Sequence, residues 1–132
     1  WVHFHVIRLQ FIFVVEGWVK VVYEDQGEPF IMHAGDCVLQ PPKIRHRVLE
    51  SSGGLYVVEV GCPAEHETRR DPDMQLPTSI LDPERDFDGQ RFCYHAAGSA
   101  VWGPWRHDGF EARDTGIGAA TAGLAGVRVV RI

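Results

Sequence analysis

The stretch WVHFHVIRLQFIFVVEGWVKVVYEDQGEPFIMHAGDCVLQPPKIRHRVLE, residues 1–50, decides the fold. It is dense in β-branched and aromatic residues, arranged in short runs cut by turn signals. The cuts fall at Glu16-Gly17, Asp25-Gln26-Gly27, Ala34-Gly35 and Pro41-Pro42, and again just downstream at Ser52-Gly53-Gly54. Between them the pattern predicts strands over residues 1–8, 10–15, 18–24, 29–32, 36–40, 46–50 and 55–61. Short strands at this spacing build an antiparallel sandwich or barrel rather than βαβ units. No stretch here shows a sustained helical period with caps.

The same alternation decides which side chains meet. Residues two apart on a strand share a face, so His3 and His5 point one way and Phe4 the other. Gln10 opens the next strand. His46 lies far downstream, beyond the Gly35-Asp36 turn and the two prolines, where an antiparallel sheet can bring it back. Three imidazoles and an amide oxygen form a borderline donor set. It suits a divalent Fe, Mn, Co, Ni, Zn or Cu ion better than Ca. On spacing alone, two histidines in this pattern can equally be surface residues.

Both clusters resemble known motifs. His3-x-His5-x4-Gln10-x6-Gly17 is similar to the first motif of the cupin superfamily, and Gly35-x5-Pro41-x-Lys43-x2-His46-x3-Glu50 to the second. They stand in the expected order, with strands between them. The resemblance implies an all-β fold: a cupin-type double-stranded β-helix, that is, an antiparallel jelly-roll barrel, with a long C-terminal connector and a terminal strand. It implies His3, His5, Gln10 and His46 as ligands of one divalent metal ion. It also implies a function class, a dioxygenase-like enzyme acting on a small anionic or enolizable metabolite. An isomerase or hydrolase using the same ion stays open, and so does a non-catalytic small-ligand-binding or regulatory module.

Three positions depart from the family pattern. The usual Glu of the first motif is Gln10, a Gly of the second is Lys43, and its terminal Asn is Glu50. Lys43 calls for a turn that does without a positive φ, or for strain. Gln10 leaves the charge of the ion uncompensated. It should bind metal more weakly than Glu and favour an anionic ligand at the open positions.

The sequence changes character after this segment. Residues 1–62 read as a barrel that lacks strands upstream. Residues 63–110, rich in Pro, Asp and Arg, read as a connector wrapping it. Residues 111–132 read as a Gly/Ala/Thr-rich segment and a strand, GVRVVRI at 126–132. That end resembles the lead-in to a second cupin barrel in bacterial two-cupin proteins. The terminal strand is expected to add to a cupin sheet, in its own chain or in exchange with a second copy.

Other residues carry less. Glu59 sits within the apolar run 56–60, and a buried carboxylate needs a partner, so it is a candidate support for a ligand histidine. Arg45 and Arg47 flank His46 and face away from it. His66, between Glu65 and Glu67, reads as a solvated turn. Cys37, Cys62 and Cys93 form no CxxC pair and read as small buried residues, mildly favouring a reducing cytoplasm. The net charge of −5, with basic residues scattered, argues against a nucleic-acid partner. No apolar run is long enough to span a bilayer. The expected partners are a small-molecule ligand and a second copy of the chain.

Overall fold

The computed structural model describes all 132 residues, Trp1–Ile132. Seven strands occupy the first segment: β1 (His3–Val6), β2 (Leu9–Glu16), β3 (Trp18–Tyr23), β4 (Phe30–His33), β5 (Cys37–Leu39), β6 (His46–Ser51) and β7 (Tyr56–Cys62). They fall where the alternating runs and turn signals place them. Gly17 and Gly35 stand in two of the turns with φ of +82° and +92°. A Cβ on Gly35 would also come within 2.9 Å of the Ala97 side chain, so only Gly fits there.

Downstream come β8 (Glu67–Arg70), β9 (Cys93–His95), a 3-10 turn (Ala97–Ser99), β10 (Gly103–Pro104), β11 (Glu111–Asp114), a single helical turn α1 (Ile117–Ala120) and β12 (Arg128–Arg131). Residues 63–110 therefore contribute strands as well as linking. β8 pairs with β1, and β9 pairs with β5.

Two antiparallel sheets face each other, in the orders β4-β3-β6-β1-β8 and β7-β2-β5-β9. They make a jelly-roll sandwich that does not close into one continuous barrel. The main core lies between them: Val14, Val19, Val21, Tyr23, Met32, Val38, Ile44 and Phe87. Each such aliphatic side chain contributes roughly 1.5–3 kcal/mol on full burial. Phe87 comes from the connector. It is held where Arg85 Nη1 donates to Glu24 Oε1 (2.8 Å) and Asp25 Oδ2 (2.9 Å), and where Gln90 Nε2 donates to the Arg8 carbonyl (2.6 Å).

The second sheet is also covered on the outer face of β2 and β5. Phe11 and Phe13 of β2, with Cys37 and Leu39 of β5, pack against Ile117, Ala120 and Val127. β12 pairs with β11 in a small sheet of order β10-β11-β12. The terminal strand thus forms, but its backbone partner is β11 and not a strand of residues 1–62. The register Arg128↔Asp114 to Arg131↔Glu111 adds an Arg131 Nε to Glu111 Oε1 hydrogen bond of 2.6 Å across that pair. No helix is long and apolar enough to cross a membrane.

Candidate metal centre

β1 lies between β6 and β8, and His3 is the direct cross-strand partner of His46. Their rings are 4.2 Å apart, centroid to centroid, and His5 lies 5.2 Å from each. A nitrogen from each of His3, His5 and His46 falls within 4.8 Å of the other two. Nitrogens bound at 2.0–2.2 Å to one ion in perpendicular directions stand roughly 3 Å apart. Small χ rotations therefore bring this set onto a single cation.

The hydrogen bonds orient the rings for that purpose. His46 Nδ1–H donates to the Ile44 carbonyl at 3.0 Å, and His3 Nδ1–H to the Trp1 carbonyl at 3.4 Å. His5 Nδ1 is engaged by the Thr68 hydroxyl at 2.8 Å. A carbonyl only accepts, so the proton of His3 and of His46 is on Nδ1, and Nε2 keeps its lone pair. Such outer contacts fix tautomer and ring direction in metal sites. Burial pulls the His46 imidazole down to about 3, against its Ile44 hydrogen bond and with help from His3 and His5. His5 is lowered by burial, then by His3 and His66, while Glu59 acts in the opposite sense. Neutral imidazole is the form that binds metal.

Gln10 lines the same cavity and is only 2% exposed. Its Nε2 donates to Glu59 Oε1 at 2.7 Å, and its Oε1 has no hydrogen-bond partner. A buried, unpartnered amide oxygen on a residue that lines the same cavity as the three imidazoles fits a cation. Glu59 was expected as a buried carboxylate supporting a histidine; on the edge strand β7 it is exposed, and its hydrogen-bond partner is Gln10. Gln40, just past the end of β5, also lines the cavity. Tyr23 donates its hydroxyl to Gln40 Oε1, which leaves the Gln40 amide with its Nε2 donor to offer. Burial raises the Tyr23 phenol far above its usual value, so this donor keeps its proton.

The cavity measures about 300 Å³. His3, His5, Gln10, Gln40, His46 and Glu59 form its polar part, and Ile12, Val19, Val21, Met32, Leu55 and Val57 its apolar part. Several side chains depart from their expected settings. His66 is not simply a solvated turn, because β1–β8 pairing brings its ring to 5.5 Å from that of His5. Cys62 is exposed, unlike buried Cys37 and partly buried Cys93, because it ends the edge strand β7. Lys43 adopts φ +64°, so the turn keeps the left-handed geometry of the absent glycine, and its N–H donates to the His5 carbonyl at 2.9 Å. Arg45 does point away from the site, ion-paired with Asp71 and stacked on Phe4.

A jelly-roll sandwich with three imidazoles gathered at the polar part of its cavity defines a class, the β-sandwich domains able to hold a metal ion. The sequence model of one family, described as Cupin domain, matches residues 1–61, which hold both motifs and β1 to nearly the end of β7. Residues 1–61 are thus a cupin domain, as the two motifs imply. No curated protein matches the chain.

Proposed function

We propose that the chain is a metal-dependent cupin of dioxygenase type, acting on a small anionic or enolizable metabolite held against His3, His5, Gln10 and His46. The carrying observation is the His3, His5 and His46 cluster on a cavity lined by both polar and apolar side chains. When bound there, a divalent ion supplies Lewis acidity and, if it is redox-active, single-electron chemistry. The residues of the chain do the rest. Burial favours the neutral form of His5 and His46, and hydrogen bonds aim all three rings. Gln40, fixed by Tyr23, offers a hydrogen-bond donor to an oxygen of the ligand. The wall of Ile12, Val19, Val21, Met32, Leu55 and Val57 takes an apolar body and excludes water. A cavity of about 300 Å³ admits a single small molecule, at the low end of the usual ligand-pocket range.

Oxygen uptake by Fe(II)-loaded protein with a panel of small phenolic and β-dicarbonyl acids tests the reading. Uptake with one of them, lost in His46→Ala, is expected. Tight ligand binding without turnover for any loaded ion would instead favour the non-catalytic module. The same reading takes the chain to be cytoplasmic and homodimeric, without a nucleic-acid or membrane partner. Exposed Tyr56, Val58 and Val60 on the outer face of β7 support pairing of two copies. Sedimentation across a concentration series checks that pairing, and a strictly monomeric chain would contradict it.

A further inference from the structure

Where the first cupin motif has a carboxylate, this chain has the neutral Gln10. The register of β2 against β7 shows what stands beside it. Gln10 lies opposite Gly61 and Ile12 opposite Glu59, so Glu59 is the diagonal neighbour of Gln10. Both side chains line the cavity. The two meet at 2.7 Å.

An ionised carboxylate only accepts hydrogen bonds. Facing Glu59, the Gln10 amide must therefore present Nε2, and Oε1 is turned the other way, where it is buried with no protein partner. The opposite amide orientation would set oxygen against oxygen. We propose that Gln10 and Glu59 divide between them the work of one carboxylate ligand. Gln10 Oε1 is the donor atom, and Glu59 orients it and supplies the negative charge one hydrogen bond away. Glu59 is a positioning residue here, acting on the ion through Gln10. The ion then keeps more of its own charge for an anionic ligand than a directly bound carboxylate would allow. This inference rests on the metal-site reading above.

The test is a competition titration of Co(II) into the full chain, with the visible spectrum recorded at saturation. Glu59→Gln should weaken Co(II) binding about 10- to 100-fold, as removal of outer-shell partners does, and shift the spectrum. In a Gln10→Met background the same change should cost less than about threefold, because the residue through which Glu59 acts is gone. Glu59→Asp keeps the charge but withdraws it from Gln10. It should fall between the native and Glu59→Gln chains, and it serves in place of Glu59→Gln if that chain melts early. Unchanged affinity and spectrum in Glu59→Gln would overturn the proposal. So would an equal loss in the Gln10→Met background, which would mean that Glu59 meets the ion by itself. If the native chain binds no Co(II), or binds it as tightly after His3→Ala, the metal site fails and this inference with it. Loss on His3→Ala with no response to Glu59→Gln sinks the inference alone.

Discussion

The two faces of β2 do different work. Gln10, Ile12 and Val14 look inward, to the cavity and main core, while Leu9, Phe11 and Phe13 look outward, to Ile117, Ala120 and Val127. The inner face carries polar groups whose partners are other side chains, with one oxygen left over. The outer face is apolar and sealed by the C-terminal segment. A strand covered on both faces reads as a nearly continuous apolar run, which is how LQFIFVVE reads. The inner face carries both the main core and the cavity, whereas the outer face carries packing alone, so stability can be changed from the outer side without touching the site.

The largest expected effect is on the outer side. Ile117 is fully buried, and Ile117→Ala should cost about 2–5 kcal/mol of unfolding free energy. Divalent-ion affinity of the folded protein should stay within about twofold, because the cavity side is untouched. Urea unfolding and an ion titration on the same sample check both halves. A large loss of ion affinity without unfolding would break the separation of faces.

Next in size is the response of the inner face to acid. The folded-state value of His46 is depressed to about 3, and His5 is lowered as well. The folded protein therefore binds fewer protons than the unfolded chain across this interval. Their contribution is fully present above the ordinary imidazole value of about 6.5 and is lost as pH falls from there toward 3. Each such group gives a slope of at most about 1.4 kcal/mol per pH unit. Metal-free protein should unfold at lower urea at pH 5 than at pH 7, and His46→Gln should flatten that difference. Equal slopes in the two chains would mean that His46 is not held neutral by burial.

Gln10→Glu sharpens the comparison further. A carboxylate at position 10 should tighten ion binding by roughly tenfold, about 1.4 kcal/mol, since it adds a charge next to the ion. It also faces Glu59 across 2.7 Å, so the metal-free protein should melt lower than its parent and recover on adding the ion. The smallest effect is at Lys43. Lys43→Gly relieves a left-handed φ of +64° and should raise stability by up to about 1 kcal/mol. Its ion pair with Asp88 is exposed on both sides and adds little. A destabilised Lys43→Gly would mean that the turn is not strained.

Much of this was legible in the sequence because strands that bury one or both faces write themselves as alternation or as apolar runs. All seven strands from His3 to Cys62 did so, and the two motifs pointed to His46 returning toward His3 and His5, though not to its direct pairing with His3. β8 was not legible. Glu67–Arg70 is exposed throughout and joins β1 by backbone bonds, which carry no side-chain signature. The approach of His66 to His5 and the Thr68 contact to His5 depend on that hidden strand. β9 is three residues, too short to show a period. Glu59 was detectable as a charge inside an apolar run, but its partner was not, since the choice between a histidine and Gln10 rests on the β2–β7 register. Gln40 gave a faint signal, as a polar residue ending an apolar strand before two prolines.

The central claim is that His3, His5 and His46 hold one ion at the polar part of the cavity. Metal analysis of chain purified without an affinity tag, before and after loading, tests it most directly, with His3→Ala, His5→Ala and His46→Ala alongside. The account predicts one divalent ion per native chain and at least about a 100-fold loss of affinity, about 2.7 kcal/mol, in each variant. A native chain that binds no ion, or variants that bind it as tightly as the native chain, would contradict the account.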